Sequence, residues 1–462
     1  MLNNIFFGIL VVVGAMASGS CNAAQEESSS AESDTSASRY SDAPLTLKEV
    51  PNRPKPLMEL WQGYLKEGPL TDEWKVPTGM VISPNLMFYG NFRTGMQARD
   101  NGSKPAIVEW TNLLDVYFDF RLTGTERISM GFFPLHQGGS YTRYRLQPDE
   151  EFEDESNGDV ATLFFEGELS EMFPGLDYKG TRALDYNIAL GRQPILIQDG
   201  FIIKDIMDSF AVTRSTMPIP GTSYARFSML YGWDEIDRSN YLTDERAHLM
   251  GLSTSIDVAQ MTLDADLFNL QSTPEYGGDQ WNIGLSMMRP FIFWNTHVDS
   301  TTRLLSSKAE KDSAWASTGT LLYSNFSWAP KTTDNIAYIS AFVGADNYAA
   351  MDRAAGIGGP LASAGLLFAG NRLSSFGAPI NNQAFESYGG SLGYQMFFDG
   401  YRRNMIMELG GKNKDNNNVV GVATKITQGF GQHAFVSMDV FWLTDEITNN
   451  DYGLRSEFSF MF

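Results

Sequence analysis

Charged side chains recur at alternate positions along much of this chain, on stretches whose intervening positions are apolar. Arg93, Arg121, Arg127, Arg226, Arg303 and Lys425 fall on the polar parity of such stretches. So do Asp115, Asp119, Glu166, Glu168, Asp185, Asp257, Asp264, Asp266, Asp299 and Asp439. Acids and bases spread this widely do not form a catalytic constellation. The histidines are His136, His248, His297 and His433, and of these His297 lies mid-strand with Asp299 two residues on, facing the same way. Such a pair could orient a base for a serine or water nucleophile, but nothing in the sequence marks the nucleophile, so a hydrolase is a minor alternative. Without a CxxCH motif the chain carries no haem of its own, and no cofactor or metal is expected. No basic patch with interleaved aromatics points to nucleic acid.

The elements that would hold these charges are strands. Leu86, Phe88, Gly90 and Phe92 alternate with Met87, Tyr89, Asn91 and Arg93; Leu114, Val116, Phe118, Phe120 and Leu122 alternate with Asp115, Tyr117, Asp119 and Arg121. A period of two with one apolar face is the mark of a half-buried strand. Strands are expected near 85–98, 112–122, 127–133, 162–173, 184–192, 207–214, 224–233, 248–258, 261–270, 281–288, 292–304, 318–328, 336–344, 388–397, 404–411, 419–427, 433–443 and 452–462. A soluble sandwich would also alternate, so the pattern alone does not decide.

Three features favour a transmembrane antiparallel β-barrel of the bacterial outer-membrane type, with about 18 strands. The strand count is even, as in bacterial single-chain barrels, and most strands reach the roughly 9–11 residues of a tilted span. Connections alternate between short (Thr123 to Glu126, Ala259 to Gln260, Arg289 to Phe291, Ala329 to Asn335, Phe398 to Arg403, Gln428 to Gln432) and long (Pro134 to Ala161, Asp234 to Ala247, Ser306 to Ser317, Ala345 to Ser387, Lys412 to Asn418). Aromatics such as Trp233, Trp281, Trp294, Trp328, Tyr394, Trp442, Tyr452 and Phe462 fall on the apolar parity, many near strand ends, as interfacial girdles do.

Upstream, residues 1–24 read as an export signal. Ile5 to Ala17 is apolar, small residues follow, and polarity rises at Gln25. Cleavage near Ala23 or Ala24 would remove Cys21, the single cysteine; lipidation of Cys21 is the alternative. Residues 25–50 are acidic and serine-rich and cannot bury a core. Residues 51–84 form a periplasmic segment in which Leu57, Leu60, Trp61, Tyr64 and Leu65 predict a short amphipathic helix. The barrel would occupy 85–462.

If the apolar parity faces lipid, the other parity lines the lumen of an aqueous pore, where ten acids against six bases lean mildly toward cations. Individually each charge could equally be half of a cross-strand ion pair. Two segments could narrow the pore. RQPILIQDGFIIKDIMD is too apolar for a solvated loop, and Gln198, Asp199, Lys204, Asp205 and Asp208 would project into the channel if it folds inward; the other reading is two longer strands joined at Gln198 to Gly200. The Gly/Ala-rich stretch Ala345 to Ser387 is long enough to pack across a pore mouth. The acidic run QPDEEFEDESNGD suits an outer loop meeting lipopolysaccharide.

The segment GRQPILIQDGFIIKDIMDSFAVTR, through Gly191-Arg192-Gln193, Asp199-Gly200, Asp208, Phe210 and Arg214, resembles the strand-loop-strand segment of the alginate-export family of outer-membrane porins. The resemblance covers the central third of the chain. It implies an eighteen-stranded barrel and passive, selective passage of a hydrophilic solute, such as a charged sugar polymer or small anion. It also implies mouth or constriction roles for Arg192, Gln193, Asp199 and Asp208. Arginine-lined walls suit a polyanion, whereas here acids outnumber bases, so alginate itself is not carried over. A barrel sheathing a partner, such as a periplasmic electron-transfer complex, is a further alternative. The terminal strand, ending in Phe462, matches the pattern read by the barrel-assembly machinery.

Overall fold

In a computed structural model, described residues are 56–61, 74–102, 104–176, 181, 183–238, 243–313, 316–370, 373, 376–414, 417–445 and 449–462. The chain divides into two units, Met1–Asn52 and Arg53–Phe462. The expected signal, the 25–50 segment and Cys21 lie outside the described residues.

The second unit is a closed barrel. Its strands are β1 (Asn85–Asp100), β2 (Ile107–Arg121), β3 (Arg127–Phe132), β4 (Val160–Glu168), β5 (Asn187–Ile197) and β6 (Ile203–Arg214). They continue as β7 (Tyr224–Asp234), β8 (His248–Val258), β9 (Met261–Gln271), β10 (Gln280–Phe293), β11 (Thr296–Ala309) and β12 (Gly319–Trp328). The last are β13 (Ile336–Asp346), β14 (Ser387–Phe398), β15 (Arg403–Lys414), β16 (Asn417–Phe430), β17 (Ala434–Asp445) and β18 (Asn449–Met461). Each pairs antiparallel with the next, and β18 pairs back onto β1 through Arg455↔Gln97 and Phe460↔Phe92. All eighteen expected strands are present, and closure leaves no long unpaired edge.

Two parities separate cleanly. Leu252, Leu285, Leu304, Leu322, Val343, Leu392, Leu409 and Trp442 are each about half exposed on the outer face, whereas Phe268, Leu305, Leu321 and Phe342 on the other parity are buried. An apolar belt this extensive is not a soluble surface. No helix of the described residues is long and apolar enough to cross a membrane.

Several expectations are corrected. The helix over Leu57 to Leu65 is not formed where it is described. Met58–Trp61 is a strand, antiparallel to Asn85–Phe88, because the lower end of β1 extends past β18 and offers it unpaired backbone; residues 62–73 lie outside the described residues. The turn expected at Arg289 to Phe291 belongs to β10, and the reversal is the two-residue turn Trp294-Asn295, both with positive φ, as at Ala259-Gln260. Positive φ at both central residues matches the twist of the flanking strands. The long connection expected at Lys412 to Asn418 is taken up by β15 and β16, which pair out to Lys414↔Asn417.

The hydrophobic core sits inside the barrel. Strands β5 and β6 pair with each other out to Ile197↔Ile203, but their wall neighbours stop near Arg192 and Asp208. The hairpin tip therefore leaves the wall and turns inward, so the two sequence readings of this segment are both realised. Phe201, Ile202 and Ile203 are fully buried there, packed with Tyr348, Met351, Leu361, Leu367 and Phe368 of the 345–387 loop against Leu249, Phe268, Leu305, Leu321 and Phe342 of the wall. Residues 352–353 add parallel to Ile203–Lys204.

Candidate functional site: the lumen and its constriction

The lumen is narrowed by the hairpin tip and the 345–387 loop, both held by polar contacts. Tyr348 donates to the Phe201 carbonyl at 2.9 Å, and the Met351 amide donates to the Ile202 carbonyl at 2.9 Å. Asn282 of the wall donates to the Ala349 carbonyl at 3.0 Å. Five strands further round the wall, Glu408 of β15 accepts from the amides of Leu366 and Leu367, both at 2.8 Å, and from the Tyr338 hydroxyl. Ser391 donates to the Ala364 carbonyl at 2.6 Å, and a Cβ on Gly365 would overlap Ser391 and Glu408. Lys412 donates to the carbonyls of Asn381 (2.9 Å) and Gln383 (2.6 Å). Buried backbone groups need such partners. None of Glu408, Tyr338, Ser391 or Lys412 was singled out from sequence. The available signal was the loss of alternation at Leu304-Leu305 and Leu321-Leu322, where both faces are apolar because the inner one is covered.

Under the hairpin lies a cavity of about 450 Å³. Arg226 (β7), Ser255 (β8), Asp264 (β9) and Arg303 (β11) line it, and with Ser286 (β10) they form one lateral row of paired positions on the barrel wall. Neighbouring strands stand about 4.8 Å apart, so the row places basic, polar and acidic groups across one face. Ser286 donates to Asp264 at 2.8 Å. Gln198 at the tip donates to Asp266 at 2.6 Å and accepts from Arg303 at 3.3 Å, and Arg303 pairs with Asp199. The tip is thus clamped across the lumen.

The other expected residues fall as follows. Arg93 pairs with Glu457 at 2.6 Å, Arg121 with Asp119 at 3.2 Å, and Arg127 with Glu166 at 2.5 Å. Asp115 meets His136 at 2.9 Å, and Asp439 faces Lys425 across β16–β17 while accepting from Arg455 at 2.6 Å. His297 and Asp299 are exposed beside the Trp294-Asn295 turn, and no hydrogen bond joins His297 to a serine or aspartate among the described residues. Asp185 precedes β5 and is not on a strand. Arg192 and Asp208 pair at 2.9 Å on the parity of Leu190 and Phe210, with Glu235 at 3.1 Å from Arg192. They sit where the hairpin bends away from the wall, not at a constriction, because the strand period puts them on the outer parity. Gln193 donates to Ser209 at 3.0 Å, and Lys204 pairs with Arg353 in register.

Where the hairpin, the 235–247 connection and the loop meet, Asp205, Asp237 and Asp352 gather beside the buried Arg238. Asp205 accepts from the Asp237 amide at 3.0 Å, and Asp237 accepts from Thr243 at 2.6 Å and from the Ala355 amide at 3.2 Å. Burial, then the nearby Asp205, pushes the Asp352 carboxyl well above the usual aspartate range; burial also raises Asp237 and pulls Arg238 down to about 10. A raised acid favours the docked loop when protonated. Docking is therefore firmest in acid and weakens as pH climbs through the raised pKa. Protease cleavage within 345–387 should increase as pH rises through the raised carboxyl pKa, and Asp352→Asn should flatten that dependence. No group of acidic, histidine or cysteine side chains is placed to hold a metal among the described residues.

No family model matches the chain, and no curated protein matches it. Solved structures do. Pseudomonas aeruginosa OccK5 (OpdH) superposes with a TM-score of 0.53 at 11% identity, covering 81% of this chain and 97% of that one. Acinetobacter baumannii OccAB2 gives 0.55 at 10%, covering 82% and 98%. The outer membrane protein OpdK from P. aeruginosa gives 0.53 at 10%, again covering 82% and 98%. At such identity the likeness is one of fold: this chain has the barrel architecture of those proteins.

Proposed function

We propose that the chain is a bacterial outer-membrane porin, a passive and selective channel for small or oligomeric hydrophilic solutes, and not an enzyme. One observation carries this reading: a closed barrel with an apolar outer belt and a polar inner wall, narrowed by its own hairpin and loop. The fold shared with an outer membrane protein supports it. The short turns then face the periplasm and the long loops the exterior, where the acidic run after Gln147 meets lipopolysaccharide. The narrower kinship with alginate-export-like porins rests on the Gly191 to Arg214 segment, which forms the inward hairpin with Asp199 at its tip; the outward parity of Arg192 and Asp208 weighs against it.

Ion preference follows from which charges remain uncompensated. Most lumen bases are paired. Asp257 and Asp264 accept from Thr262 (2.6 Å) and Ser286 (2.8 Å), hydroxyls that leave their charge in place. Asp266, held by the neutral Gln198 amide at 2.6 Å, joins them, and against these three acids stand Arg226 and Lys425, which form no ion pair among the described residues. The protein in planar bilayers is expected to give stable single-channel steps, with a reversal potential under a salt gradient favouring K⁺ over Cl⁻. Absence of any conductance would remove the porin reading; anion preference would remove only the charge assignment.

A further inference from the structure

We propose that the segment Met58–Trp61 completes the barrel seam and docks on the headgroup boundary of the periplasmic leaflet, a lipid contact outside the eighteen strands. The proposal rests on the membrane barrel of the porin reading and not on conduction.

Register fixes the place of this strand. Met58 lies opposite Phe88, Leu60 opposite Leu86 and Trp61 opposite Asn85. β2 holds the other edge of β1 down to Asn85↔Arg121, so the segment takes the β18 edge. There β18 ends at Met461↔Asn91, and Phe462 exchanges hydrogen bonds with Gly90 in both directions. Met58 follows two positions lower along β1. It runs in the same direction as β18, because both are antiparallel to β1. The closing strand is therefore made of two pieces, one from upstream of the barrel and one from its end.

The same register fixes its faces. Residues directly opposite one another in an antiparallel pair share one side of the sheet, so Met58 and Leu60 join Phe88 and Leu86 on the outward side. They are 41% and 42% exposed, close to the apolar belt of the wall. Trp61, at φ 67°, leaves the alternation, and its ring meets the outward Phe120 at 5.8 Å. Glu59 is on the inward side and accepts from the Asn85 side-chain amide at 3.0 Å.

Two features select lipid as the occupant. The outward side chains continue a belt that already faces the bilayer, with no break between Phe88 and Met58. The one charged residue of the strand is turned inward, so its outer face offers a protein partner no charge to recognise. Trp61, the lowest and most exposed residue of the strand, suits the boundary between acyl chains and headgroups, where tryptophan is enriched.

The test is spin-label accessibility in vesicles of phosphatidylethanolamine and phosphatidylglycerol. Labels are placed through Met58→Cys, Glu59→Cys and Leu60→Cys, with wild type taken through the same labelling to control for Cys21, the native cysteine. Heat-modifiable migration on gels verifies that each variant has folded. Labels at 58 and 60 are expected to meet oxygen, which partitions into the bilayer, several-fold more than a water-soluble nickel chelate, and the label at 59 to show the reverse. Leu60→Asp is expected to unfold on gels at a lower heating temperature than wild type, and Leu60→Phe at the wild-type temperature. Equal nickel exposure at all three positions, or wild-type heat resistance in Leu60→Asp, overturns the proposal. A barrel that never enters the vesicles fails the porin reading instead.

Discussion

Replacing Glu408 by alanine is expected to raise single-channel conductance several-fold and to make the open current noisy. Glu408 is 4% exposed and takes the Leu366 and Leu367 amides at 2.8 Å each. Its removal leaves the buried Leu367 N–H without an acceptor, at roughly 1–3 kcal/mol, and the half-buried Leu366 N–H at less. Each 1.4 kcal/mol changes a population about tenfold, so a loop held almost wholly against the wall would spend substantial time released. Release would propagate along the turn at Ala364 to Leu367, and proteinase cleavage between Ala345 and Ser387 should rise in parallel. Glu408→Gln keeps the shape but turns an amide nitrogen toward one of those donors, so its effect should be intermediate. Wild-type conductance and protease resistance in the alanine variant would show that Lys412, Asn282 and Tyr348 hold the loop without it.

Deleting Phe462 is expected to reduce the amount of assembled, heat-modifiable barrel severely, before any change in conductance is seen. The residue closes the seam. Its amide donates to the Gly90 carbonyl at 3.0 Å, its carbonyl accepts from the Gly90 amide at 2.8 Å, and its ring meets Phe88 at 6.1 Å. In a lipid environment each backbone group left unpaired costs several kcal/mol, and the loss falls on the pair of strands farthest apart in sequence. The same residue is the one we expect assembly machinery to read. Substitution by Tyr keeps the ring and the backbone pairs and should assemble; normal insertion of the truncated chain would remove this account.

Much of the wall was legible because strand alternation is a local property. Leu86 to Phe92 and Leu114 to Leu122 declare their two faces without reference to any partner, and an even strand count with alternating connections leaves closure as the economical arrangement. The terminal strand was legible for the same reason. The Met58–Trp61 strand was not: Leu57, Leu60 and Trp61 fit helical spacing, and only the unpaired backbone of β1 beneath the C-terminus makes a strand there. Arg192 and Asp208 were misplaced because the strand period carries them on the outward parity of Leu190 and Phe210.

The sequence by itself determined the eighteen strands, their apolar and polar faces, the two segments able to narrow the pore and the charges along its wall. Tertiary structure alone decided which charges cancel, since Arg93–Glu457 joins residues at opposite ends of the chain. It also decided that Glu408, whose neighbours in sequence give no hint of it, is the anchor of a loop more than twenty residues away, and that Tyr89, Tyr117, Phe133, His136 and Tyr141 form one series. The physical reason is common to all three: alternation is set by backbone geometry within a strand, whereas charge pairing, loop seating and ring stacking depend on register and on how far a loop folds back, which only barrel closure specifies.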